Sequence, residues 1–185
     1  MENRITLYHG SYCSIDKPDL SYCFKNRDFG KGFYLTTDYA QAKRFVGASI
    51  NKAIASDYIS QKTNTGYVSK YELLLDDSLL IHKFTGTDKD WLHCIVAHRK
   101  GVEIKGEYKK YRDFDIIVGK VADDNTATQI NAYLAGAYGP IGSPEAEATC
   151  VSLLLTNRLK DQWCFKTNKA LSKLTYIGSD IICLT

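Results

Sequence analysis

The chain has 185 residues, 44% hydrophobic and 24% charged, ordinary proportions for a single globular domain spanning residues 1–185. No apolar run of about 18 residues is present to cross a membrane, the opening MENRITLYHG lacks a basic-then-apolar leader pattern, and a net charge of +3 is too small to argue for nucleic acid. Six cysteines, at 13, 23, 94, 150, 164 and 183, form no CxxC pair and no cluster with histidine, so they read as free thiols of a cytoplasmic protein, or of one exported without a recognisable signal.

In chain order, Ile5-Thr6-Leu7-Tyr8-His9 alternates and stops at Gly10, as a short strand does. Phe33 to Thr37 reads as a second strand. Asp38 followed by Gln41 is a capping pattern for the helix behind it, which places Ala42, Phe45, Val46, Ser49 and Ala53 near one face. GYVSKYELLL (66–75) alternates as a strand, and Leu79 to His82 suggests another. DKDWLHCIVAHRK (88–100) suits a helix, and FDIIVGKVA (114–122) is a β-branched run suited to a central strand. Residues 124–138 suit a helix, and Ser143-Pro144 opens another, with serine as cap, expected to run to about Lys160. QWCFKT (162–167) reads as a strand, NKALSKL as a helical turn and TYIGSDIICL as a closing strand. Strands at both ends with helices between them predict α+β, not alternating βαβ units.

Several familiar chemistries are excluded. Asp28-Phe29-Gly30 spells a kinase tripeptide, but the 27 residues before it cannot house the glycine-rich loop, strand lysine and catalytic segment that a kinase needs. There is no P-loop, and Gly30-x-Gly32 alone is no dinucleotide fingerprint. G-x-S-x-G and HExxH are absent, and His93 and His98 stand five apart rather than four. His93, His98 and His82 therefore read as satisfied histidines, and Trp91 and Trp163 as core. Asp115, Asp123 and Asp124 lack calcium-loop spacing and suit a strand end and a helix cap. The basic stretch HRKGVEIKGEYKKYRD (98–113) reads as a solvated loop or hairpin.

His9 stands apart. It ends a strand, precedes a glycine, and can present a ring nitrogen to a ligand. Beside Gly32-Phe33-Tyr34-Leu35-Thr36, two strand ends would form a clamp, one giving an imidazole and the other an aromatic face. Such a clamp suits a flat polar ring such as nicotinamide.

LYHGSYCSIDKPDL followed by NRDFGKGFYLTTDYAQAKRF resembles a family of small bacterial domains related to ADP-ribosyltransferases, of the diphtheria-toxin and poly(ADP-ribose) polymerase branch. FDIIVGKVADD and DQWCFKTNKALSKL resemble its later blocks, so the likeness covers nearly the whole chain. It implies a split β-sheet core with surrounding helices, NAD as substrate and no metal. The implied reaction is mono-ADP-ribosylation of a protein or nucleic-acid acceptor, in a toxin or effector that an antitoxin or regulator could restrain. By the same resemblance, His9 would hold the nicotinamide-side ribose 2′-hydroxyl, Gly10 would offer backbone groups to the carboxamide, and Tyr34 would stack on nicotinamide. Arg27 and Lys31 would flank the diphosphate, with Gly32 and Phe33 in the same binding segment. Thr36 and Thr37 either support the ribose or cap the helix.

The third position of the family's His-Tyr-Glu signature falls on Gln162, or on Asp161 if the register differs by one. Glutamine can hydrogen-bond a ribose hydroxyl but supplies no full charge, which argues against chain elongation and keeps two alternatives open. One is a catalytically weak NAD- or ADP-ribose-binding module, and the other is an NAD glycohydrolase. Gln162→Glu is expected to keep or raise turnover. An RNA 2′-phosphotransferase would need an Arg-His-His-Arg set that has no place here.

Overall fold

A computed structural model describes residues 4–100, 110–122, 124–154 and 160–184. The strands are β1 (Arg4–Ser11), β2 (Phe33–Leu35), β3 (Thr65–Leu74), β4 (Ile81–Lys83), β5 (Ile116–Lys120), β6 (Asp161–Phe165) and β7 (Leu174–Cys183). The helices are α1 (Tyr39–Ala55), α2 (Lys89–Lys100), α3 (Asp124–Leu134), α4 (Pro144–Leu153) and α5 (Asn168–Leu171). The chain is α+β, with one antiparallel sheet ordered β1-β3-β7 and a second ordered β2-β6-β5-β4. Among the described residues no helix is long and apolar enough to cross a membrane.

Side-chain alternation explains how the layers stack. In the second sheet, Phe33, Leu35, Ile116, Val118, Trp163 and Phe165 share one face, in cross-strand register. They pack with Leu7, Tyr71 and Leu73 of the first sheet into one buried cluster. Tyr34, Ile117 and Cys164 point the other way, into a second cluster with Trp91, Leu92 and Ile95 of α2 and with Ile130 and Cys150 of α3 and α4. On the far side of the first sheet, Val68 and Ile182 meet Ala42, Val46 and Ile50 of α1. The order is therefore helix, sheet, sheet, helices, with the two sheets face to face. At their edges they are joined by a bridge between Tyr8 and Thr36, whose backbone groups exchange hydrogen bonds of 2.8 and 3.0 Å.

Local signals explain the element boundaries. The Asp38 side chain accepts from the Gln41 amide at 2.9 Å, so α1 begins where the capping pattern predicts. Ser143 caps α4, with Pro144 in its first turn. Two expectations need correction. Phe45 lies outside the core and is 49% exposed, whereas Ile50 takes the buried place. The helix opened by Pro144 ends at Leu153 instead of near Lys160, because Leu154 turns to extended backbone and buries its side chain. The α+β expectation stands: β4 and β5 pair in parallel through the α2 crossover, and this single βαβ unit sits inside an otherwise antiparallel fold.

Candidate functional site

His9 faces the space between the sheets, opposite α1, in register with Ser69 of β3. Its Nδ1 lies 2.7 Å from the Tyr34 carbonyl. A carbonyl only accepts, so Nδ1 carries the proton and Nε2 presents a lone pair. Burial lowers the pKa of His9, only partly offset by the Tyr34 carbonyl, and so favours the neutral ring. The imidazole also stacks on Phe33, centroids 4.6 Å apart and planes tilted by 34°.

Adjacent strand residues face opposite ways, and this separates Tyr34 from His9. The sequence reading pairs His9 with the Tyr34 ring; in the structure His9 meets Phe33 and the main chain of Tyr34. The Tyr34 ring packs toward α2, where its hydroxyl accepts from the Phe29 amide at 2.9 Å and donates to Gly30 O at 2.8 Å. Burial, with Cys164 adding to it, pushes this phenol well above its ordinary range. Tyr34 thus clamps the turn of residues 28–32. A Cβ on Gly32 would lie 2.4 Å from Cys164 Sγ and 2.8 Å from Phe165 O, so glycine lets that turn close against β6.

Gly10 is the point where α1 presses onto β1. A Cβ there would stand 2.0 Å from the Ala42 carbonyl oxygen. From Ala42 the helix stripe runs through Phe45, Ser49 and Lys52, with Ser49 Oγ accepting from the Tyr12 amide at 3.1 Å. Phe45 therefore stands exposed beside the end of β1. Lys52 Nζ lies 5.7 Å from the Phe45 ring centroid, and the Arg27 guanidinium lies 5.4 Å from that of Phe24, itself 67% exposed. Desolvation, and then the Arg27 charge, lower the Lys52 pKa, so the two cations feel one another. Among the described residues neither cation meets a carboxylate. Two unneutralised cations flanked by aromatic faces suit an anion bearing ring groups.

Gln162 is buried at the start of β6, on the face of Tyr34. Its Nε2 donates to Asp28 Oδ2 at 2.6 Å and lies 3.4 Å from Lys120 O. Asp161 points to the opposite face and pairs with Lys120 at 3.0 Å. The Thr36 hydroxyl accepts from the Asp38 amide and lies 3.0 Å from both Gln41 Oε1 and Asp161 O. Its one proton is committed there, so it supports the helix start.

The remaining sequence candidates are structural. His93 Nε2 and Glu147 Oε1 meet at 2.7 Å between α2 and α4. His98 Nδ1 donates to Cys94 O at 2.8 Å, and His82 sits among the rings of Phe84, Tyr111 and Phe114. Trp91 and Trp163 are buried. Asp115 receives Thr167, Lys169 and the Leu80 amide. Asp123 and most of the basic stretch 98–113 lie outside the described residues. Sequence reasoning overlooked Asp28, set aside with the kinase tripeptide, and also Phe45 and Lys52. The signal was there for Lys52, which continues the helix spacing of Ala42, Phe45 and Ser49.

A family model, DUF3990, described as a protein of unknown function, matches residues 5–176 of the chain. No curated protein matches it.

Proposed function

Starting from a chain that belongs to the DUF3990 family, we propose an NAD-dependent mono-ADP-ribosyltransferase that releases nicotinamide and passes ADP-ribose to a macromolecular acceptor. The observation that carries this reading is the neutral His9 imidazole against the Phe33 ring, and two cation–ring pairs, Arg27 with Phe24 and Lys52 with Phe45, whose cations feel one another support it. NAD has the matching parts: hydroxyl-bearing riboses, a diphosphate, and a flat ring at each end. In this reading His9 Nε2 accepts a ribose hydroxyl, Arg27 and Lys52 hold the diphosphate, and the faces of Phe24 and Phe45 receive rings.

Breaking the nicotinamide–ribose bond sends its electron pair to the positively charged ring nitrogen, which becomes neutral, and leaves an oxocarbenium-like ribose. The acceptor supplies the new bond and loses a proton; water in its place gives hydrolysis. The leaving group is already cationic, so it needs no general acid, and the protein's contribution is positioning and electrostatic fit. An amide at 162 in place of a carboxylate favours a second reading, an NAD-binding module with weak or no turnover.

Incubation with NAD labelled in the adenylate separates the two. Nicotinamide release together with label on a macromolecule supports transfer. Saturable NAD binding with no release above background overturns it in favour of the binding module.

A further inference from the structure

Three donors converge on the buried carboxylate of Asp28: Arg99 Nε at 2.6 Å, the Ala122 amide at 3.1 Å and Gln162 Nε2 at 2.6 Å. Arg99 also reaches Ala122 O at 3.0 Å, tying the loop before β2 to α2 and to the chain beyond β5. Asp28 and Lys120 O can only accept at these contacts, so the NH2 end of Gln162 must face them and Oε1 must face away. Among the described residues no protein donor reaches that oxygen. With Asp28 replaced by a group that donates, the amide would gain by turning end for end.

We propose that Asp28 is a positioning residue for Gln162, fixing its amide so that the oxygen, not the nitrogen, is the end left open to a substrate reaching the Tyr34 face of β6, and holding beside it the negative charge that Gln162 lacks. The functional half of this rests on the transferase reading above. Its immediate consequence reverses the sequence expectation for Gln162→Glu. A carboxylate at 162 would stand at hydrogen-bond distance from the one at 28, and two like charges so close disfavour joint ionisation. Glutamate becomes acceptable at 162 only when residue 28 can donate.

The test is a charge-exchange cycle of Asp28→Asn, Gln162→Glu and the double variant, read by kcat and KM for nicotinamide release. Each single change is expected to lower kcat by at least about tenfold with KM little altered, the scale of a misplaced catalytic contact. In the double variant a side-chain amide at position 28 donates to a carboxylate at position 162 at the expense of the Ala122 amide bond, and kcat is expected to rise above that of either single variant. Single variants with wild-type kcat, or a double variant no better than the worse single, overturn the proposal. A merely structural pair would restore thermal stability in the double variant without restoring kcat.

Wild-type protein supplies a readout that needs neither folding of a variant nor turnover. The Gln162 side-chain amide protons should exchange slowly and resonate downfield in nitrogen-resolved spectra, and exchange at the free-amide rate overturns the assignment. If NAD binds without nicotinamide release, the transferase reading fails separately. A protected amide and weaker NAD binding in Asp28→Asn then support positioning for binding, and unchanged affinity overturns it.

Discussion

The ring of His9 is bonded across a boundary: its Nδ1 meets the carbonyl of Tyr34 at 2.7 Å, yet the two residues belong to different sheets. The contact fixes both the tautomer and the spacing of β1 and β2 where the bridge between Tyr8 and Thr36 ends. His9→Ala should therefore remove the acceptor nitrogen and abolish nicotinamide release. His9→Asn, whose amide can still donate to the carbonyl, should recover stability but not activity. Thermal unfolding and release assays on both variants check this.

Acid should weaken the fold. His9, His82 and His98 all have pKa values lowered chiefly by burial. The unfolded chain therefore binds more protons than the folded one once pH drops toward the ordinary imidazole value of about 6.5. The stability these groups confer is present above that value and is lost as pH falls through their folded values. Denaturant titrations at pH 7.5 and 5.5 should give the lower midpoint in acid, and nicotinamide release should fall on the same side as His9 gains its proton.

Tyr34→Phe keeps the ring and deletes the hydroxyl that closes the turn at Phe29 and Gly30. Leaving buried backbone groups without that partner should cost about 1–3 kcal/mol. Chemical denaturation measures it. Nicotinamide release at low temperature should survive, since Phe33 is the ring beside His9.

Gly10→Ala should be among the most damaging single-methyl additions in the chain. Its Cβ would meet a helix carbonyl at 2.0 Å, and only a shift of α1 from the sheet relieves it. A loss of about 1–3 kcal/mol, the usual range for overpacking, is expected in the unfolding midpoint.

Replacing Arg27 and Lys52 together with alanine should weaken NAD binding at low salt and flatten its salt dependence. Calorimetric titration at two ionic strengths checks this. Binding that is unaltered by both changes would move the diphosphate elsewhere.

Much of this architecture is legible in the sequence because its signals are local. Asp38 and Ser143 announce their helices through short-range caps, and alternation in GYVSKYELLL marks a strand whatever its partner. Period-two alternation also contains the separation of Phe33 from Tyr34, but which ring faces His9 depends on where β2 docks, a long-range fact. Phe45 shows the same limit. Its helical spacing is that of a core residue, yet α1 docks on the first sheet through Ala42, Val46 and Ile50 and leaves it at the surface. Asp28 has no sequence neighbour that hints at its role, since its partners lie at 99, 122 and 162.

The position of β6 has a consequence for how the protein is made. This strand lies between β2 and β5, so the pairing that seats Phe33 and Tyr34 waits for residues 161–165. On a ribosome, His9 and the loop at Asp28 emerge long before Gln162, and β1 can meet β3 while β2 still lacks a partner. Non-local pairing of this kind is slow to form. A nascent chain would thus leave Phe33, Tyr34 and the carboxylate of Asp28 without their β6 partners until synthesis has passed residue 165.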